Sequence, residues 1–173
     1  MKRFIKLASK FPNLFEIISR LICVITYSFP FLELYLFFNP LMRSYRISPG
    51  WLEAAAISFR ANPALSMGVF TVILTVTSIR SIKINYYSRY NLMQALILLF
   101  FSNFLDTLDY LFPYVVRGQG SMMAPFFYFI CFAQMLLVIY CAIYAIIGKI
   151  PNIPLMTEAI KIQISEYGNE NKD

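Results

Sequence analysis

Residues 90–112 read YNLMQALILLFFSNFLDTLDYLF. The run is mostly apolar and about as long as an α-helix must be to cross a bilayer, roughly 20 residues at about 1.5 Å rise each. Three more runs of this kind lie at 21–38, 63–79 and 126–148. A water-soluble domain carries about 25% charged residues. This chain carries 14%, against 59% hydrophobic residues. With 173 residues in all, four spans leave little chain for a separate soluble domain. The expected fold is an all-α integral membrane protein with four transmembrane helices and short interfacial helices. It divides into a basic interfacial helix over 1–20, a four-helix transmembrane domain over 21–148 and a C-terminal tail over 149–173.

Composition removes several kinds of chemistry. The chain has no His, the commonest general base and metal ligand. Its three cysteines, Cys23, Cys131 and Cys141, lie inside apolar runs and form no C-x-x-C pair. They read as small packing residues, with neither a disulfide framework nor a zinc site. No paired nucleophile and base is visible, so no enzymatic activity, metal or cofactor is expected. The net charge of +6 points to topology and to contact with anionic membrane lipid. No aromatic-basic RNA motif accompanies it, so no nucleic acid partner is expected.

Orientation follows from the basic residues of short loops. An even number of spans puts both termini on one side. Eleven of the 15 Lys and Arg residues then fall on that side, and four fall on the other: Arg43, Arg46, Arg60 and Arg117. Both termini are expected on the cytoplasm-equivalent side. Residues 1–20 interleave Lys2, Arg3, Lys6, Lys10 and Arg20 with Phe4, Ile5, Leu7 and Phe11. No small-residue cleavage site follows, so this segment reads as a retained helix lying in the interface.

The polar residues inside the runs are few. Glu33 comes one turn after Pro30, and a bare carboxylate at mid-membrane costs about 2.5–3.5 kcal/mol on insertion scales. Either it holds helices together near the outer interface, or it lines a polar path. Asn103, Asp106 and Asp109 are spaced three apart in the third run, and Gln94 lies about half a turn round from Asn103. Polar groups pointing two ways predict that this helix is the most enclosed. Asp109, just before Pro113, reads as solvated at the outer end. Asp106, a turn deeper, serves either an interhelical hydrogen bond or the same polar path. Gln134 is the polar residue of the fourth run. In the second run Gly68, Thr71 and Thr75 share a face, which reads as a close-packing surface. Residues 51–60 read as an interfacial helix anchored by Trp51. The tail over 155–167 fits either a short amphipathic helix or a strand.

Ser88-Arg89-Tyr90-Asn91-Leu92-Met93-Gln94-Ala95-Leu96-Ile97-Leu98-Leu99 resembles the R-F-N-x-M-Q-A-I-L-L segment of the twenty-kilodalton subunit of the translocon at the inner envelope of chloroplasts. Tyr90 stands in place of the usual Phe. Arg80 and Ile84 fall where the preceding V-R-N-x-x-I-S segment would put them. Arg20-Leu21 through Phe29-Pro30-Phe31-Leu32-Glu33 is similar to the family's first span, R-x-x-x-x-L-P-Y-x-x-P-x-x-E, with Thr26 at the position of the first Pro. Ile153-Pro154-Leu155-Met156-Thr157-Glu158-Ala159 is similar to its I-P-x-I-S-E-A tail. The likeness runs in order from about residue 20 to 164. The short N-terminus looks like the plastid-encoded form.

The resemblance implies a multi-pass protein of the plastid inner envelope membrane with both termini in the stroma, or of the plasma membrane if the source is a cyanobacterium. It implies a part in the channel or scaffold for preprotein translocation, with other translocon subunits and transiting preproteins as partners. The family supplies no catalytic residues. For the motif residues, physics suggests that Arg89 anchors at the stromal headgroups, Asn91 caps the third helix and Gln94 bonds to a neighbouring helix. The competing reading is a small polytopic solute or ion carrier in which Glu33 and Asp106 couple protons. Four thin spans enclose little alone, so either role calls for a homo-oligomer or partner subunits.

Overall fold

The computed structural model of the protein describes residues 12–78, 85–112, 123–154 and 156–169. Every element among them is a helix: α1 (Pro12–Ser44), α2 (Gly50–Ala61), α3 (Pro63–Ser78), α4 (Tyr86–Leu111), α5 (Met123–Ile147) and α6 (Met156–Asn169). Lys2, Arg3, Lys6, Lys10, Arg80, Lys83, Arg117 and Lys172 lie outside these residues, as do Ile84 and Leu155 of the family segments and Pro113.

Three stretches are long and apolar enough to cross a membrane: Glu16–Asn39 within α1, Tyr86–Leu111 and Met123–Ile147. The second run coincides with α3, only 16 residues. Helices α2 and α3 meet at a bend of 84° beside Asn62. The described residues therefore hold three membrane-crossing helices, or four if the bent pair acts as one span. The 33 residues of α1 reach about 50 Å, more than the ~30 Å of hydrocarbon, so α1 extends past the core. It runs without interruption through Arg20 and through Pro30, whose side chain is fully buried.

Helix α1 is the hub. It packs against α4, α5 and α2, while α4 and α5 touch each other less. Helix α3 lies on α4 and stands off from α1, leaving an apolar slot of about 510 Å³ between Ile22, Phe29, Gly68, Val72 and Leu92. The core joins α1, α4 and α5 through Cys23, Tyr27, Leu34, Leu98, Val138 and Cys141. Of the three long helices α4 is the most enclosed, with 56% of its apolar stretch buried, because α1, α3, α5 and α6 all rest on it. Gly68, Thr71 and Thr75 do not pack closely. All three are exposed, and a Cβ at Gly68 would meet nothing within 4 Å. Helix α3 instead turns Ile73 and Thr77 inward, a face offset from the small residues.

Two helix ends share one hydrogen-bond pattern. After α1, Ile47 N donates to Met42 O and Arg46 N to Arg43 O, both at 3.0 Å, with Arg46 at φ 55°. After α5, Lys149 N donates to Tyr144 O at 3.0 Å and Gly148 N to Ala145 O at 3.2 Å, with Gly148 at φ 82°. These are left-handed caps that satisfy the last carbonyls. A Cβ on Gly148 would lie 2.5 Å from the Arg20 guanidinium, which covers the negative end of α5. At the other end α2 is tied to α1 by an Arg43–Glu53 ion pair. Tyr35 Oη and Ser48 Oγ, 2.5 Å apart, hold the intervening loop, and Trp51 points outward.

Candidate functional site

The polar residues inside the bundle collect in two groups, one toward each end. The first lies where α4 begins and α5 finishes. Tyr27 of α1 aims its hydroxyl between two amides of α4, at 3.1 Å from Asn91 Oδ1 and 3.2 Å from Gln94 Oε1. Asn91 Nδ2 donates back to Tyr87 O at 2.9 Å, and Tyr87 Oη donates to Ala145 O of α5 at 2.7 Å. Tyr90 Oη donates to Thr157 Oγ1 of α6 at 2.9 Å, and the same oxygen accepts from Ile153 N at 2.9 Å. Tyr27, Tyr90, Asn91 and Gln94 are all buried to within 1%. Deeper in the bundle, Gln134 Nε2 of α5 donates to Leu98 O at 3.0 Å and to Ser102 Oγ at 2.8 Å.

This group changes two sequence expectations. Asn91 is not a cap. Helix α4 starts at Tyr86 with Asn85 at its N-cap position, so Asn91 lies in the second turn and bridges the helix to Tyr27. The tail is a helix, not a strand, and it docks: Ile160 is fully buried and Thr157 nearly so. Arg89, next to these residues in sequence, is half-buried at the same end.

The second group surrounds a cavity of about 410 Å³ at the opposite end, where α2 folds back over the bundle. Glu33 enters from α1, Arg60 from α2, Ser66 from α3, and Asn103, Asp106 and Thr107 from α4. Met67, Phe70 and Phe100 form an apolar wall. Arg60 donates to Asp106 and forms an ion pair with it, and its guanidinium sits 5.7 Å from the centre of the Phe37 ring. Glu33 is 4% exposed and makes no hydrogen bond or ion pair among the described residues. Two carboxylates therefore face one guanidinium.

The structure thus brings Glu33, Asn103 and Asp106 together, and keeps Gln134, Gln94, Asn91 and Arg89 apart from them. Asp109 is not solvated. It is 5% exposed, turned inward beside Leu105 on the buried side of α4. In sequence Arg60 counts only among the cations that set orientation, because it lies 46 residues from Asp106 and looks like an ordinary interfacial cation. Tyr27 and Thr157 were missed for the same reason: a hydroxyl inside an aromatic-rich chain signals nothing until its acceptor is known. Among the described residues no three His, Cys, Asp or Glu side chains are placed to hold a metal ion.

Residues 5–160 match the family described as chloroplast import apparatus Tic20-like. The chain belongs to that family. The match spans most of the sequence, including both polar groups and the docked start of α6. Membership makes this Tic20-like chain a component of the chloroplast protein-import translocon, and its long apolar helices are those of a membrane protein. No curated protein and no solved structure was matched by the chain.

Proposed function

We propose that this Tic20-like chain sits in the plastid inner envelope membrane as a four-span subunit, with both termini in the stroma, and builds the wall or scaffold of the preprotein channel. The family match over residues 5–160 carries this reading. The bent pair of α2 and α3 supports four spans, because together the two helices are long and apolar enough to carry the chain back across the bilayer. The basic-residue bias supports the orientation.

A single copy is poorly built to conduct anything by itself. One end of the bundle is filled by the Tyr27, Asn91 and Gln94 contact, while the cavity beside Glu33 is confined to the other. This favours a wall shared with partner subunits or further copies over a lone solute or ion carrier. Solubilisation in mild detergent with a preprotein arrested during import tests the assignment. The chain should co-isolate with the arrested preprotein and other translocon subunits. A lone homo-oligomer that carries a small solute across liposomes would replace it with the carrier reading. A cysteine introduced at Ile5 should be labelled from the stromal side; labelling solely from the outer side would reverse the orientation.

A further inference from the structure

We propose that the cavity between Glu33, Arg60 and Asp106 is a docking site for one basic side chain, the ammonium of Lys or the guanidinium of Arg, of a polypeptide moving past the bundle. The inference deepens the import reading and rests on it for the source of the side chain.

Charge is the first argument. Arg60 is engaged by Asp106, which leaves Glu33 as a second carboxylate facing the same space. Buried charges in proteins are paired, and within the membrane an ionisable residue faces an interior path or a partner. Glu33 is more than nine-tenths buried, it lines the cavity, and it has no hydrogen bond or ion pair among the described residues. A visiting cation supplies that pair. A visiting anion would meet two carboxylates with one guanidinium to offset them.

Shape is the second argument. One wall is polar, with Asn103, Thr107 and Ser66 beside the carboxylates. The other wall is Met67, Phe70 and Phe100. A Lys or Arg side chain has the same division, an apolar stem that lies along hydrocarbon and a charged head that seeks polar groups. The ring faces of Phe add to the attraction for a cation. A volume of about 410 Å³ suits a side chain and excludes a helix. A divalent metal is a poorer fit, since two carboxylates shared with an arginine make a meagre ligand set.

Ser66 gives a nearly isosteric reporter. Ser66→Cys places a thiol in the cavity, while the native Cys23, Cys131 and Cys141 are fully buried and make the unmodified chain the blank. In nanodiscs, with both faces open, the labelling rates of a trimethylammonium-ethyl and a sulfonatoethyl methanethiosulfonate are compared. The cationic reagent should react faster, and Glu33→Gln should lower the ratio of the two rates about tenfold. Asn103→Asp should raise it, which preserves the test if the Glu33 variant does not fold. The peptide acetyl-Ala-Lys-Ala-amide should slow labelling, its norleucine counterpart should not, and Glu33→Gln should abolish the protection. A ratio near one that neither variant moves would overturn the proposal. Protection by neither peptide, or by both alike, would overturn it too. The measurement uses the isolated chain, so the docking site can fail while co-isolation with preprotein succeeds, and the reverse.

Discussion

The two polar groups of this protein contrast in how they are satisfied. Near the start of α4, neutral hydroxyls and amides pair with one another or with backbone carbonyls, Tyr27 with Asn91 and Gln94, Tyr87 with Ala145, Tyr90 with Thr157, and Gln94 Nε2 is left without a hydrogen bond among the described residues. At the α2 end, charged groups border a cavity, and one of them, Glu33, has no such partner among the described residues. The first arrangement fixes helices in register, since a polar atom left unpaired inside a membrane protein is costly. The second leaves a polar demand open to something outside the chain. A scaffold needs the former and a path for polypeptide needs the latter; here they share helices α1 and α4, with Asn91 and Gln94 near the start of α4 and Asn103 and Asp106 near its end, and Tyr27 and Glu33 on neighbouring turns of α1.

If that contrast holds, stability should be concentrated in the first group. Tyr27→Ala removes a fully buried ring and the hydroxyl shared by Asn91 and Gln94. The expected loss is about 3–5 kcal/mol, the usual range for deleting a buried aromatic side chain. The buried Cys23, Cys131 and Cys141 report unfolding as they become accessible to a thiol-reactive dye. A melting curve unchanged from the parent would show that the Tyr27 contact does not hold the bundle. Next in size comes Gly148→Ala at the same end. The left-handed conformation costs an L-residue about 1–2 kcal/mol, and the new Cβ would also push the Arg20 guanidinium off the end of α5. The same melt checks it, and a neutral result would mean that the turn after α5 relaxes freely.

Features set by local residues are legible in the sequence. The run at 63–79 became α3 almost residue for residue, because hydropathy and Pro63 mark its extent within a few positions. Helix α4 began earlier than its apolar run, at Tyr86, because Tyr86 to Arg89 are amphipathic residues that hydropathy alone leaves out. The R-x-N-x-M-Q-A core was legible as a family feature, but what Asn91 and Gln94 touch was not. Their common partner Tyr27 lies 64 residues from Asn91, and no spacing rule reaches that far. The face of Gly68, Thr71 and Thr75 follows from helical spacing and reads as a packing surface, but the fold turns Ile73 and Thr77 inward and leaves that face exposed. Asp109 and Asp106 lie on one helix, and sequence alone places Asp109 at the outer end and Asp106 a turn deeper. Three residues of helical rotation separate them: Asp106 meets Arg60 of α2, while Asp109 lies on the buried side of α4 with Leu105.

The docking of α6 offers a finer cut. Thr157→Val keeps the shape of the side chain and removes the oxygen shared by Tyr90 and Ile153. Interhelical hydrogen bonds in membranes average about 0.6 kcal/mol and reach about 1.7. The melt should therefore drop by less than for Gly148→Ala, and limited proteolysis after Pro154 should quicken as α6 detaches. Unaltered cleavage would mean that burial of Ile160, not the hydroxyl pair, holds α6 down.

Asp106→Asn is expected to have the smallest effect on stability, and it distinguishes the two groups best. The pair with Arg60 is partly exposed, with side-chain exposures of 29% and 33%. Exposed ion pairs contribute about 0–1 kcal/mol. Asn keeps the size of the side chain and an oxygen that accepts from Arg60. Stability and assembly into the translocon should therefore be close to normal, with a loss under about 1 kcal/mol. Asp106→Leu removes the acceptor as well and should weaken the complex modestly. The melt and the size of the detergent-solubilised complex measure both variants. A loss for Asn as large as that for Tyr27→Ala would place the Arg60 contact among the ties that hold the helices, and the contrast between the two ends would fail. An intact complex that no longer imports preprotein would do the opposite. It would show that the charge at Asp106 serves the passing chain, which is the role left to a group that the fold itself does not need.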